Sequence, residues 1–190
     1  MKINRCGQAS VFAPGHLETI LSNMHGQNHK MMLRLSYWSA GRAGEVCQIR
    51  TSDIYDTKGK PLKKLTYQAA ITKTKETRQV PIHRTLKEWL INYWEVGCPD
   101  IRGYMFPGAG LNPIQQQSYD DAFRRAVTKA DLNSCGYSTH SPRRSILTEM
   151  AKRGYALSVI QKFSGHESLE SLQKYIDIEE DDLELAISNF

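Results

Sequence analysis

The sequence predicts an α+β domain, mostly helical, with a small antiparallel β-sheet. Three observations carry that reading. Apolar residues recur at helical spacing along most of the chain, most clearly at Leu86, Trp89, Leu90, Tyr93 and Trp94. Between Leu62 and Ile82 the period shifts to two. The 190 residues, 40% of them hydrophobic and 24% charged, suit one globular domain with a full core.

Taken in order, the Pro14-Gly15 turn opens a short helix over His16 to Asn23, which ends before Gly26. A second helix covers Asn28 to Trp38, with Met32, Leu35 and Trp38 on one face. After the Ser39-Ala40-Gly41 break, Ala43 to Arg50 is helical with Val46 and Ile49 inward. Tyr67, Ala69 and Ile71 alternate with polar residues, Lys73 to Thr77 is polar, and Val80 and Ile82 resume, which is the pattern of a β-hairpin. The loop from Pro107 to Pro113 separates the helix around Leu86 to Trp94 from one near Ser118 to Ala130. Ser141 as N-cap and Pro142 at the first helical position start a helix that runs to about Arg153 and stops at Gly154. Ala156 to Phe163 is a short helix, and a last one carries Leu169, Leu172 and Ile176.

Charge and cysteine content narrow the function. Net charge is +5, yet residues 176–190 hold six acids and no lysine or arginine, so removing those six leaves +11 on residues 1–175. A compact body of that charge attracts a polyanion. No apolar run approaches the ~20 residues of a membrane-spanning helix, and the N-terminus lacks the apolar stretch of a secretory signal. The four cysteines lie scattered without a CxxC pair, so neither a disulfide framework nor a zinc site is expected, and a reducing cytosol fits. His25 and His29 are four apart, but Gly26 interrupts the turn; no metal and no cofactor are expected.

Six residues are candidates for chemistry: Arg42, Lys73, His140, Arg143, His166 and Tyr175. Singly, each has an ordinary explanation as a solvated or packed side chain. Together they suit attack by an oxygen nucleophile on a phosphodiester. The pentacoordinate phosphorane gains negative charge that two arginine forks are shaped to hold. A free tyrosine is phenolate only about one part in a thousand at pH 7, so a histidine must take its proton or nearby cations must lower its pKa. The departing 5′-hydroxyl needs a general acid, for which a lysine is suitable. Attachment to tyrosine conserves the bond energy, so strands rejoin without ATP.

Four stretches, in order, resemble the tyrosine recombinases, the phage integrase family. YWSAGRAGEVCQIRTSDI (37–54) is similar to the family's first arginine box, T-G-x-R-x-S/G-E-L-x-x-L-x-x-x-D. ITKTKETRQVPI (71–82) is similar to the hairpin with the catalytic lysine, HSPR (140–143) to H-x-x-R, and SGHESLESLQKYI (164–176) to G-H…Y with its nine-residue step from histidine to nucleophile. The resemblance runs from about residue 10 to 177. The fold it implies is the mostly helical tyrosine-recombinase catalytic domain with a small antiparallel β-sheet, over residues 1–177. Most members carry a separate N-terminal core-binding domain, which is not expected in these residues, so the sequence reads either as an excised catalytic domain or as a minimal recombinase. The acidic tail, 178–190, is a candidate for exchange between protomers.

The resemblance also implies roles. Arg42 and Arg143 bind the scissile phosphate, and His140 and His166 bond to it and help move protons. Lys73 is the general acid, Tyr175 forms the 3′-phosphotyrosine, and Glu45 buttresses the arginine pocket. Lys75 competes with Lys73, which sits eight residues before Pro81 as the family spacing suggests. Lys64, Lys75, Arg78, Arg124 and Arg144 are expected DNA contacts. Ser39-Ala40-Gly41 departs from T-G-x, and Pro142 and Arg144 stand where leucine and histidine are frequent. The expected activity is site-specific DNA recombination by integration, excision or inversion. The alternatives are a type IB topoisomerase-like relaxing enzyme and a non-catalytic DNA-binding protein. Expected partners are double-stranded DNA, further copies of the chain in a tetramer on DNA, and accessory DNA-bending proteins; no membrane. The expected location is the cytoplasm of a bacterium, bacterial or phage-borne, at the nucleoid.

Overall fold

The computed structural model describes residues 7–97 and 99–176. Among these, eight α-helices surround one two-stranded sheet: α1 (His16–Asn23), α2 (Gln27–Trp38), α3 (Ala43–Cys47), β1 (Lys64–Tyr67), β2 (Arg78–Pro81), α4 (Arg84–Gly97), α5 (Gln116–Lys129), α6 (Ser141–Lys152), α7 (Leu157–Ser164) and α8 (Leu169–Gln173). The strands pair antiparallel, with Leu65 opposite Val80 and Tyr67 opposite Arg78.

The second helix is the centre of the molecule. It buries Met31, Met32, Leu33, Leu35 and Ser36, and packs against α3, α4, α5 and α6. A helix apolar on so much of its circumference must be covered on several sides. The main core gathers around it: Leu86, Leu90 and Tyr93 from α4, Tyr119 and Phe123 from α5, and Leu65, Tyr67 and Val80 from the hairpin. A second, smaller cluster joins Ala40 to Leu147 of α6, Ile160 of α7 and Leu172 of α8, with Tyr175 and Ile176 packed on it. Phe163 touches both clusters.

Several expectations need correction. The third helix ends at Cys47 rather than Arg50, and the chain passes into a 3₁₀ turn over Thr51–Asp53. Asp53 causes the break, its carboxylate accepting from the Arg50 N–H at 3.2 Å. The first strand ends at Tyr67; Ala69 to Ile71 turn instead of continuing the ladder, because the Ala69 N–H donates to the Thr77 hydroxyl. In α4, Trp89 lies largely exposed, with the Arg34 guanidinium 3.6 Å from its ring. The sixth helix is capped by His140, not Ser141: the Ser141 hydroxyl turns back to accept from the Ser138 N–H at 3.0 Å, leaving Pro142 one place further in. The last helix closes at Gln173, so Tyr175 and Ile176 sit beyond it in a tight turn, with Tyr175 N–H bonded to Leu172 O at 2.8 Å. The acidic tail lies outside the described residues.

The turn between α2 and α3 admits no bulk. A Cβ on Gly41 would lie 2.2 Å from the Tyr67 hydroxyl and 2.7 Å from a Val46 methyl, both in the core. Gly41→Ala is therefore expected to destabilise the protein by about 1–3 kcal/mol in denaturant unfolding, through overpacking.

Candidate active site

The site begins where α3 begins. Arg42 precedes its first turn, and Glu45 folds back to accept both the Arg42 N–H (2.9 Å) and the Arg42 Nη1 (2.7 Å). This capping interaction fixes backbone and side chain of Arg42 together. Glu45 is 2% exposed, and its second oxygen also receives Nη2 of Arg78 at 2.9 Å. A buried carboxylate thus stands between two guanidinium groups, while Arg42 stays 20% exposed.

Arg143 lies on the first turn of α6 and is only 1% exposed. Its Nη1 donates to Ala40 O, and its Nη2 to Ser164 O at 2.9 Å and to His166 Nε2 at 3.2 Å. Its Nε is buried with no acceptor among the described residues. Burial, with Arg42 and Arg78 nearby, holds Arg143 well below the ordinary guanidinium pKa. The hydrogen bonds also assign the His166 tautomer. The Ser164 hydroxyl donates to Gln161 O, so it accepts from His166 Nδ1–H at 2.7 Å, and Nε2 keeps its lone pair for Arg143. Burial first, then the charges of Arg143, Arg42 and Arg78, push His166 down to about 3. The imidazole is neutral throughout the physiological range.

Tyr175 packs against this pair. Its ring lies 4.7 Å from the His166 ring and 5.6 Å from Arg143 Cζ. The sixth helix holds the tyrosine segment from behind: Arg144 donates to Lys174 O at 3.3 Å, and the Thr148 hydroxyl to Tyr175 O at 3.3 Å. His140 and Arg144 share with Tyr175 a recess of about 300 Å³. On the other side of His166 opens a cleft of about 770 Å³, lined by Arg42, Glu45, Arg78 and His166 and rimmed by Lys64, Thr72 and Thr74. Lys73 is exposed and lies between those two threonines in the chain, but is not itself among the residues that line the cleft. Lys75, also exposed, takes a left-handed φ of 58° at the turn. Arg124 lines a third hollow, shared with His140.

The fold therefore gathers Arg42, Glu45, Arg143, His166 and Tyr175, with His140 beside the tyrosine and Lys73 exposed on the neighbouring hairpin turn. Residues 11–181 match the phage integrase family. The chain belongs to that family. Its similarity to phage integrase relatives is broad: 22% identity to tyrosine recombinase XerD of Staphylococcus saprophyticus over 90% of this chain and 57% of that protein. Transposase A of transposon Tn554 from Staphylococcus aureus is 22% identical over 92% of this chain and 50% of its own length. The chain spans about half the length of these curated relatives. Among solved structures, the XerA recombinase superposes with a TM-score of 0.76 at 16% identity, covering 96% of this chain and 66% of XerA. The XerH recombinase bound to its difH substrate superposes at 0.71 with 18% identity, covering 98% of this chain and 56% of XerH. The mostly helical phage integrase fold with its small antiparallel sheet is thereby established.

Two expected DNA contacts lie elsewhere than at a surface. Arg78, 8% exposed, bonds Glu45 and the carbonyls of Phe163 (2.7 Å) and Ser39 (3.3 Å). Arg144, 7% exposed, bonds Gln8 as well as Lys174. Both side chains are turned inward onto protein acceptors. The signal for Arg78 is in the sequence: it is in phase with Val80 and Ile82, on the face that β2 buries. Nothing in the spacing marks Ser164 or Thr148, which act through bonds to residues close only in the fold.

Because the folded pKa of His166 lies below the ordinary 6.5, the folded state resists its protonation. Its contribution to stability is complete above about pH 6.5 and is lost as pH falls toward about 3. Denaturant unfolding between about pH 7 and 4 should show that loss, and His166→Gln should flatten it.

Proposed function

We propose that this protein is a site-specific DNA recombinase that cuts and rejoins duplex DNA through a 3′-phosphotyrosine. The observation that carries the reading is the packing of Tyr175 on His166 and over the Arg143 guanidinium, beside a cleft that Arg42 enters. Arg42 and Arg143 hold the nonbridging oxygens of the scissile phosphate, and their charge grows in value as the phosphorane forms. The Tyr175 oxygen attacks phosphorus and the bond to the 5′-oxygen breaks. The phenol proton passes to His140, which shares the tyrosine's recess, while neutral His166 accepts from Arg143 through Nε2 and so orients that guanidinium. Lys73 protonates the departing 5′-oxygen, Lys75 being the other lysine of the same turn. Attack of a 5′-hydroxyl on the phosphotyrosine reverses each step and joins strands.

Lys64 and Arg124 are proposed to meet the DNA backbone outside the cleft, with a salt-dependent contribution to affinity. The XerH recombinase and the Tn1549 integrase, both similar in fold, are described in complex with their DNA. By that likeness we assign DNA as the substrate, and we further propose that it is double-stranded, that residues 1–177 are the catalytic unit and that the working form is a tetramer on DNA. Residues 178–190 would link its protomers, accessory DNA-bending proteins would shape the complex, and the nucleoid would be its location.

The test is capture on a nicked suicide duplex library, in which the cut strand diffuses away and traps the enzyme. Wild type should yield protein-linked DNA on a denaturing gel. Tyr175→Phe should bind the recovered duplex equally and yield none; an adduct that survives this change overturns the assignment. Arg143→Lys should slow single-turnover cleavage by about 10²-fold or more, since one ammonium cannot replace the fork.

A further inference from the structure

We infer that Arg78 is a positioning residue for strand cleavage: one guanidinium ties the hairpin bearing Lys73 to the segments bearing Arg42 and His166. The inference rests on the recombinase reading above. Three candidate catalytic groups stand on three separate pieces of chain, and Arg78 bonds to each piece. It opens β2, the strand that leads out of the Lys73 turn. Its Nη2 holds Glu45, the carboxylate that orients Arg42. Its Nη1 holds the carbonyl of Phe163, one residue before Ser164, whose own carbonyl and hydroxyl hold Arg143 and His166.

The surroundings are shaped for this side chain. Arg78 Cζ lies 4.5 Å from the Tyr67 ring, and the Tyr67 hydroxyl is 2.6 Å from that of Ser39, whose carbonyl also accepts from Arg78. Gly165 gives it passage: a Cβ there would come within 2.7 Å of Arg78 Cδ, and its φ of +67° also favours glycine. A planar fork can serve a carboxylate and two carbonyls lying in different directions. A lysine ammonium keeps the charge but has neither the reach nor the plane. Arg78 thus differs in kind from a residue that contacts phosphate.

The experiment compares wild type, Arg78→Lys and Arg78→Ala on the nicked duplex recovered above. Melting, affinity with its salt dependence, and single-turnover cleavage at saturating protein are measured for each. A positioning role predicts that the folded lysine variant binds with unchanged affinity and salt slope but cleaves about 10- to 100-fold more slowly. Methylguanidinium added to Arg78→Ala should restore part of the cleavage rate without changing affinity. Cleavage by Arg78→Lys equal to wild type overturns the inference. So does weakened binding with the salt slope reduced by about one, the mark of a phosphate contact. If the lysine variant does not fold, the alanine variant decides, and absence of rescue counts against the role. Failure of wild type to form any adduct overturns the recombinase reading and this inference with it. A wild-type adduct alongside an unaffected lysine variant overturns the inference alone.

Discussion

The site is organised by a shortage of negative charge. Among the described residues, Arg42, Arg78 and Arg143 converge with a single buried carboxylate, Glu45, which bonds to the first two and not to the third. Arg143 is held instead by carbonyl dipoles from Ala40 and Ser164. A buried ion pair compensates poorly for desolvation unless every hydrogen bond is made, and a guanidinium that faces only dipoles is less compensated still. The cations are held by the bonds they make to Glu45 and to the carbonyls of Ser39, Ala40, Phe163 and Ser164. An anion entering the cleft meets Arg42 at its wall, with the buried Arg143 and Arg78 adding their charge from behind protein acceptors.

The same field governs the neighbours. With burial, it keeps His166 neutral, and the Ser164 hydroxyl fixes which of its nitrogens carries the proton. It also attracts the electron-rich face of Tyr175 toward Arg143. Electrostatics and local hydrogen bonding thus agree on one arrangement, although the residues come from the two ends of the chain.

Helix identity was legible in the sequence wherever the apolar stripe was strong, as in α4 and α5, and the β-hairpin was legible in the change of period. The gathering of Arg42, Arg143, His166 and Tyr175 was legible too, through ordered motifs rather than through any single residue. What escaped was decided by local hydrogen bonds. Asp53 ends α3, Ser141 turns away from capping, and Thr77 stops the first strand, each through a side chain that competes with regular structure. Arg78 escaped because a basic residue beside a lysine turn is read as surface, although its phase with Val80 placed it inside.

The two apolar clusters meet at Phe163, and the tyrosine rides on the smaller one. That smaller cluster is built from four buried residues, so it is the part of the molecule with least to lose by opening. Its melting would carry the phenol away and leave Arg42, Glu45 and the hairpin standing in the larger core. The phenol can therefore leave while the larger core keeps its packing, so losing the tyrosine's place need not mean losing the fold.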